Sequence, residues 1–590
     1  MAVDLPRWNL SDLYKGVDDP VLEKEFLEID ADIQTFKATY SGKVASLSQE
    51  KFLKAITLFE KIQEKLGKIQ AFAYLLFSTH TQDEAVIGFF QSVEERVTTL
   101  SADLLFFTLE INRLDEETLQ GKFRNCNFPY LPWIQAIRLF KDHALSDELE
   151  KVFLELSIPA SQAWVRLFDE TLGSLKIAFE GKALNLSDAL NLFSSPNSQT
   201  RKLIAKSLSQ ALEEKGSLFA LIYNTLMKEK GIEDKWRRYP NPQMSRHLNN
   251  QIEEESVEAL SKAVIKAYPK LSHRYYALKA KVLGLEKLEY WDRNAPLFYG
   301  AEENEYSWKE AKDLVLEAYQ DFSPQMAEIG NSFFENGWID AALYPGKDSG
   351  AYSHPTVPKV HPYILMNFYG KGRDVMTLAH ELGHGIHQIL AHSKGYFLSD
   401  TPLTVAETAS VFGEMLTFQK MLKRLKDPLQ KKYLLSQKIE DMLNTVVRQI
   451  AFYTFEKRVH AVRQEKELSL SDFGQIWMTT QKEALGPAFN LDESYHIYWT
   501  YISHFIHSPF YVYAYAVGDC LVNSLYRLYE KNTEGFSEKY LDLLKAGGSK
   551  PYDELLKPFN LNPKDPDFWS LGLSYIEELI KALEDLVNGE

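Results

Sequence analysis

The feature that most constrains the fold is a helical spacing of apolar residues, which recurs along most of the chain. Apolar side chains stand three and four residues apart in long segments separated by short clusters of Pro, Gly, Asn and Ser; VLEKEFLEIDADIQTFKATY at 21–40 is one example. Such spacing gives an amphipathic helix one apolar stripe. The chain is therefore predicted to be mainly α.

Strand signals are few. LKIAFEGKALNL at 175–186 alternates around Glu180-Gly181, which predicts a small hairpin. HPYILMNFY at 361–369 predicts a second strand, and we expect little sheet elsewhere. Residues 334–360 are rich in Gly, Pro and aromatic residues and are interpreted as a loop near a cleft.

A joint between two parts of the chain is predicted at FSSPNSQTR, residues 193–201, where Thr200 is positioned to cap the next helix. The expected domains are residues 1–195 and 196–590. With 590 residues the chain is long enough to bury a large core. The net charge of −16 argues against a general nucleic-acid binder, which needs an excess of Lys and Arg.

Cysteine usage and the first residues bear on location. Cys126 and Cys520 are far apart in dissimilar surroundings, so neither a disulfide framework nor a cysteine zinc site is expected, and a reducing compartment fits best. MAVDLPRWNL has no basic segment followed by an apolar one, so no secretory signal is expected. These features predict a cytoplasmic protein.

One stretch is long enough to cross a bilayer: residues 494–518 contain no Asp, Glu, Lys or Arg. It does contain His496, His504, His507, Pro509 and several tyrosines, whose polar groups would be costly in lipid. We therefore expect no membrane span here, but a buried wall of a cleft.

The segment DVMTLAHELGHGIHQIL at 374–390 has helical periodicity and places His380 and His384 one turn apart on one face. Two such imidazoles can bind one metal ion, and Glu381 stands where zinc peptidases of this pattern carry the general base. The pattern is short enough to arise by chance, and histidines paired with backbone or carboxylate groups are the alternative. The surrounding apolar helical frame favours the metal interpretation.

A catalytic zinc site needs a third protein ligand. His387 lies seven residues beyond His380, roughly 10 Å further along a helix, so a hydrogen bond to a neighbouring carboxylate suits it better. In TVAETASVFGEMLTFQKML, residues 404–422, Glu407 and Glu414 project from about the same face. One of them is predicted to be a ligand and the other to support it; a solvated acidic face is the alternative.

Several motifs together resemble the oligoendopeptidase F branch of the thimet oligopeptidase superfamily. They are HELGHGIH at 380–387, ETASVFGE at 407–414, WNLSDLY at 8–14, YILMNF at 363–368 and SHFIHSPFYVYAYAVGD at 503–519. The resemblance implies a mainly α, two-lobed metallopeptidase with a deep central channel and a small β element next to the zinc helix. It also implies an N-terminal helical domain at 1–195 and a catalytic domain at 196–590.

The resemblance assigns His380, His384 and Glu407 as ligands of one Zn²⁺ per chain and Glu381 as the residue that activates water. It further implies that His504 and Tyr515, with Tyr511, stabilise the oxyanion of the reaction. Tyr513 and His507 are alternatives in that cluster, because tyrosines at every second position cannot all face one side of a helix.

The expected function is hydrolysis of internal peptide bonds in short oligopeptides, with neither a nucleic acid nor a membrane as partner. An extended peptide is expected to add to an exposed edge of the strand at 363–368. The alternatives are a zinc carboxypeptidase or another exopeptidase of related helical fold, and a helical peptide-binding protein without turnover. Cobalt or manganese could occupy the same ligands as zinc.

Overall fold

The structure is a computed structural model that describes residues 5–123, 128–298 and 305–589. As predicted, helices make up most of it. The first thirteen are α1 Pro20–Tyr40, α2 Gln49–Thr79, α3 Glu84–Arg113, α4 Glu116–Gly121, α5 Leu131–Ile137, α6 Asp147–Ser157, α7 Ala163–Gly173, α8 Leu186–Asn191, α9 Ser198–Glu213, α10 Gly216–Trp236, α11 Met244–Asn249, α12 Glu254–Ala267 and α13 Ser272–Val282. Those that follow are α14 Trp308–Phe322, α15 Pro324–Glu335, α16 Gly372–Ala391, α17 Tyr396–Ser399, α18 Leu403–Arg424, α19 Pro428–Leu443, α20 Gln449–Glu465, α21 Leu470–Leu485, α22 His504–His507, α23 Tyr513–Lys531, α24 Phe536–Lys545, α25 Tyr552–Leu556 and α26 Pro566–Asn588.

The strands of the described residues are short. They are β1 Ile177–Phe179, β2 Lys182–Leu184, β3 Leu288–Glu289, β4 Ile339–Asp340, β5 Tyr352–His354, β6 Tyr363–Leu365 and β7 Phe489–Asn490. β1 and β2 form the predicted hairpin, and Glu180 and Gly181 both have positive φ, as a tight type I′ turn requires. The loop prediction for 334–360 was partly wrong, because β4 and β5 lie within it.

The sheet formed by β4, β6 and β5 overturns one expectation. β6 is the middle strand, parallel to β4 and antiparallel to β5. The prediction that a peptide adds to the strand at 363–368 was therefore wrong, because both edges of β6 are already paired. β4 and β5 are the outer strands.

The chain divides into two compact units. Unit 1 comprises Met1–Lys141, Glu303–Arg424 and Tyr529–Asn560, and unit 2 comprises Asp142–Glu302, Leu425–Leu528 and Leu561–Glu590. The boundary at 195 stays a prediction about sequence domains. At that joint the helix cap differs from the expected one, because Asn197, not Thr200, accepts hydrogen bonds from the first backbone N–H groups of α9.

In unit 1, α1, α2 and α3 pack around an aromatic core. α1 starts at Pro20, with Asp19 as its cap, and buries a stripe at three- and four-residue spacing: Leu22, Phe26, Ile29, Ile33, Phe36 and Tyr40. The same core includes Tyr363 of β6, so the bundle supports the sheet beside α16.

Two further expectations concern membranes and cysteines. Among the described helices, none combines the length and the apolar character that crossing a membrane requires. Cys520 is buried and free, whereas Cys126 lies outside the described residues.

Candidate active site

Helix α16 carries the His-Glu-x-x-His motif, and its start is fixed by a capping interaction. Asp374 accepts hydrogen bonds from the backbone N–H groups of Tyr369 and Lys371, at 2.8 and 2.9 Å. Its apolar positions, among them Leu378 and Leu382, are fully buried. The predicted helix at 374–390 is therefore confirmed.

Helix α18 crosses α16 at very short range. A Cβ atom on Gly383 would lie 2.5 Å from the carbonyl oxygen of Ala409 and 2.7 Å from the Cα of Ser410. Only glycine allows the two backbones to approach this closely. The approach brings the acidic residues of α18 to the histidines of α16.

Three ligand-type groups converge at this crossing. A carboxylate oxygen of Glu407 lies 3.4 Å from Nε2 of His380 and 3.5 Å from Nε2 of His384. One atom from each of the three residues lies within 4.8 Å of the others. The structure thus brings together the three residues that the resemblance implied as ligands.

Glu414 contacts the other nitrogen of His380. Its Oε1 lies 2.5 Å from Nδ1 of His380, which fixes the imidazole with Nε2 directed at the cluster. Burial lowers the pKa of His380, but the hydrogen bond and the charge of Glu414 outweigh it and raise the pKa to about 9. Binding of a metal ion would therefore release a proton from His380.

Glu381 is the buried carboxylate of the motif, with 6% of its surface exposed. Burial, countered in part by His380, raises its pKa to about 7. The backbone N–H of Ser353 in β5 donates a hydrogen bond to it. Side-chain bonds between Ser353 and Gln388 hold β5 on α16. A carboxylate with a pKa near neutrality can both take up and release a proton.

His387 differs from its predicted role. Its Nε2 lies 3.5 Å from the hydroxyl of Thr401, and the backbone of Ala406 forms a second contact. The predicted hydrogen bond between His387 and a carboxylate was therefore wrong. The carboxylate of Glu414 contacts His380 instead. Burial lowers the pKa of His387 to about 4, so the ring is neutral at physiological pH.

Two supporting residues were missed in the sequence. The hydroxyl of Ser410 donates to Oε2 of Glu407 at 2.8 Å, the same oxygen that faces the histidines. Its position three residues after Glu407 on one helix is the signal that would have identified it. The hydroxyl of Tyr319 in α14 donates to the carbonyl of Ala379 at 2.5 Å, which no local pattern predicts.

The histidine and tyrosine cluster belongs to unit 2. The Nε2 of His504 and the hydroxyl of Tyr515 lie 3.2 Å apart, and the rings of Tyr511 and Tyr515 are in contact. Arg246 lies over the ring of Tyr511 and its Nε donates to the carbonyl oxygen of Pro509. Tyr515 is 39% exposed, so it lies at the surface of unit 2.

Tyr513 and His507 have other partners. The hydroxyl of Tyr513 is fully buried and forms hydrogen bonds with His247 and Asn250, both at 2.9 Å. His507 is paired with Asp169 at 2.8 Å. Of the candidates at 504–515, the structure groups His504, Tyr511 and Tyr515 and directs Tyr513 into the core.

The donor set fits a metal ion. Two imidazole Nε2 atoms and one carboxylate oxygen converge, and the remaining nitrogen of His380 is held by a carboxylate. This combination is typical of catalytic zinc sites. Within the parts of the chain that the structure describes, it is the sole group of His, Cys, Asp and Glu residues with this geometry.

Models of two protein families match parts of this chain. Residues 191–574 match Peptidase family M3, and residues 110–177 match the family Oligopeptidase F. Oligopeptidase PepF of Bacillus subtilis is 27% identical over 98% of this chain and 87% of the relative. An oligoendopeptidase F homolog of Borreliella burgdorferi is 27% identical, with 93% of each chain covered.

Solved structures share the fold. A Chlamydophila abortus structure described as a peptidase superposes with a TM-score of 0.87 at 24% identity, with 98% of each chain covered. Oligoendopeptidase-F of Enterococcus faecium superposes with a TM-score of 0.70 at 22% identity, covering 96% of this chain and 99% of that one. Together with the family match over most of its length, this shows that the chain belongs to peptidase family M3, in its oligoendopeptidase F branch, and is a metallopeptidase.

Proposed function

We propose that His380, His384 and Glu407 hold one zinc ion per chain and that Glu381 is the general base of an endopeptidase acting on oligopeptides. The observation that carries the proposal is the convergence of the three ligand atoms beside the buried carboxylate of Glu381. Two imidazoles and one carboxylate match the preferences of zinc, and the remaining position is left for substrate and water.

His380, His384 and Glu407 would hold the zinc ion, which would supply Lewis acidity for the scissile carbonyl and for the attacking water. Glu381 takes the proton of the attacking water and later transfers it to the leaving amine. Burial of Glu381 raises its pKa, which favours uptake of the proton from water. Glu414 holds His380 through Nδ1, and Ser410 orients the carboxylate of Glu407.

His504, Tyr511 and Tyr515 are proposed to stabilise the negative charge that develops on the carbonyl oxygen. The resemblance suggests this role, and the grouping of the imidazole Nε2 of His504 with the phenol hydroxyl of a partly exposed tyrosine supports it. Hydrogen-bond donors held in place before the reaction favour the transition state over the substrate. The buried hydrogen bonds of Tyr513 with His247 and Asn250 argue against the same role for Tyr513.

The test is Glu381→Gln, assayed with an internally quenched peptide blocked at both ends. We expect zinc content to stay at one per chain and the kcat to fall by about 100- to 10,000-fold, because only the proton acceptor is lost. Glu328→Gln is the matched control, since Glu328 is exposed in the same unit.

Two outcomes would contradict the proposal. Unchanged hydrolysis by Glu381→Gln would exclude Glu381 as the base. Cleavage confined to peptides with a free terminus would favour the exopeptidase alternative. Zinc itself is checked by metal analysis of the purified protein. The cytoplasmic location stays a prediction.

A further inference from the structure

Two arginine side chains, Arg293 and Arg448, lie near each other within unit 2. Arg293 follows the short helical turn at 290–292, and Arg448 ends the segment Asn444–Arg448 that precedes α20. Each keeps some contact with solvent although protein atoms surround it closely. Both side chains are therefore half-buried, and the surroundings of their guanidinium groups are called the recess below.

Neither guanidinium has a carboxylate partner among the residues described. Nε of Arg293 donates to the amide oxygen of the adjacent Asn294 at 3.3 Å, whereas Nε of Arg448 is buried without any hydrogen-bond partner. The carboxylate that acts on Arg293, Glu440, is itself paired with Lys279 at 2.6 Å. The recess therefore carries uncompensated positive charge.

Tyrosines supply further donors around the same two side chains. Both arginines lie close enough to three tyrosines for an electrostatic interaction: Tyr276, Tyr495 and Tyr501. The hydroxyl of Tyr495 donates to Gln481 at 3.4 Å, and in the described chain the hydroxyl of Tyr276 forms no hydrogen bond. The recess thus has guanidinium and phenol donors in excess of acceptors.

Buried cations without counter-ions are costly, and a protein retains them where another group neutralises them. We propose that Arg293 and Arg448 form a binding site for a carboxylate of the peptide substrate, an inference that rests on the peptidase function proposed above. Arginine forks match carboxylates in a bidentate geometry, and peptides carry this group at the C-terminus and on Asp and Glu.

The recess is coupled to the proposed oxyanion cluster within the same unit. Burial, then His507 and then Arg448 lower the pKa of His504. A carboxylate bound at Arg448 would offset that charge beside His504. Because Arg293 and Arg448 have fixed positions, the enzyme would favour peptides whose carboxylate lies at one particular distance from the scissile bond.

The experiment compares three quenched peptides of one sequence: with a C-terminal carboxylate, with a C-terminal amide, and with an amide plus a glutamate near the C-terminus. The wild-type enzyme is expected to prefer the carboxylate peptide to the plain amide by about 10- to 100-fold in kcat/KM, mainly through KM. Recovery with the third peptide shows that a side-chain carboxylate can also bind there, and no recovery shows that the C-terminal carboxylate alone does.

The variants are Arg448→Gln and Arg293→Gln, with Arg448→Lys as the conservative change. We expect the glutamine variants to abolish the preference and the lysine variant to retain part of it, because it keeps the charge but loses the fork. Arg166→Gln, which removes an exposed arginine of the same unit, is expected to leave the preference intact. Thermal unfolding and zinc content confirm that each variant is folded.

Equal kcat/KM for all three peptides in the wild type would overturn the inference. The inference would also be wrong if Arg448→Gln and Arg293→Gln lowered kcat/KM for all three peptides by the same factor, because the preference would then not depend on these arginines. Calorimetric binding of the intact peptides to Glu381→Gln separates this inference from the mechanism. Preferential binding of the carboxylate peptide there supports the recess even if Glu381 proves not to be the base.

Discussion

Replacement of Gly383 by alanine tests whether the close crossing of α16 and α18 builds the metal site. The added Cβ would lie 2.5 Å from the carbonyl oxygen of Ala409 and 2.7 Å from the Cα of Ser410, both backbone atoms that cannot rotate away. Ordinary contact begins at roughly 3.5 Å, so the helices must separate by about 1 Å.

That displacement is large compared with the tolerance of a metal site. Ligand distances are held within about 0.2 Å, and Glu407 lies on α18 whereas His380 and His384 lie on α16. Because altered supporting residues already cost about 10- to 100-fold in affinity, a displaced ligand is expected to cost at least about 100-fold. Overpacking adds about 1–3 kcal/mol of destabilisation.

Gly385→Ala is the matched control on the same helix. Its Cβ would lie 2.5 Å from Cζ of Phe333, so the clash is as close but falls on a side chain of α15. We expect similar destabilisation but retained zinc, measured by competition with a chromophoric chelator and by thermal unfolding. The reasoning would be refuted if Gly383→Ala bound zinc with wild-type affinity while Gly385→Ala lost it.

Three further predictions address single side chains. Glu414→Gln is expected to weaken zinc binding by about 10- to 100-fold, because the carboxylate on Nδ1 of His380 is lost; unchanged chelator competition would contradict it. Tyr515→Phe is expected to lower kcat by about 100-fold at unchanged zinc content, whereas Tyr513→Phe should mainly lower the thermal midpoint; equal kcat losses would contradict this. Burial raises the pKa of Glu456 from 4.5 to about 8. The folded protein therefore holds this proton more tightly than the unfolded chain, and the free energy of unfolding falls as the pH rises from about 5 through 8. Glu456→Gln should therefore reduce this fall in the free energy of unfolding, by up to about 5 kcal/mol at pH 9. Parallel profiles of unfolding free energy against pH for the wild type and the variant would contradict this.

The helices and the core of the motif could be predicted from the sequence because they depend on local spacing. The stripe from Leu22 to Tyr40 and the one-turn interval between His380 and His384 follow from the helical period alone. The turn at Glu180-Gly181 was predictable for a similarly local reason, since Gly181 adopts positive φ without steric cost.

The sequence by itself determined a helical chain with His380, Glu381 and His384 on one helix and two acidic residues on another. Residue spacing does not distinguish those acids, because Glu407 and Glu414 share a face of α18. Only the tertiary structure shows that Glu407 lies at Nε2 of both histidines and Glu414 at Nδ1 of His380, since these distances depend on how the helices cross. Partners remote in sequence likewise direct Tyr513 into the core, pair both edges of β6, and place Arg293 beside Arg448. Contacts between segments that are distant in sequence decide such roles, and the spacing of residues along the chain does not predict these contacts.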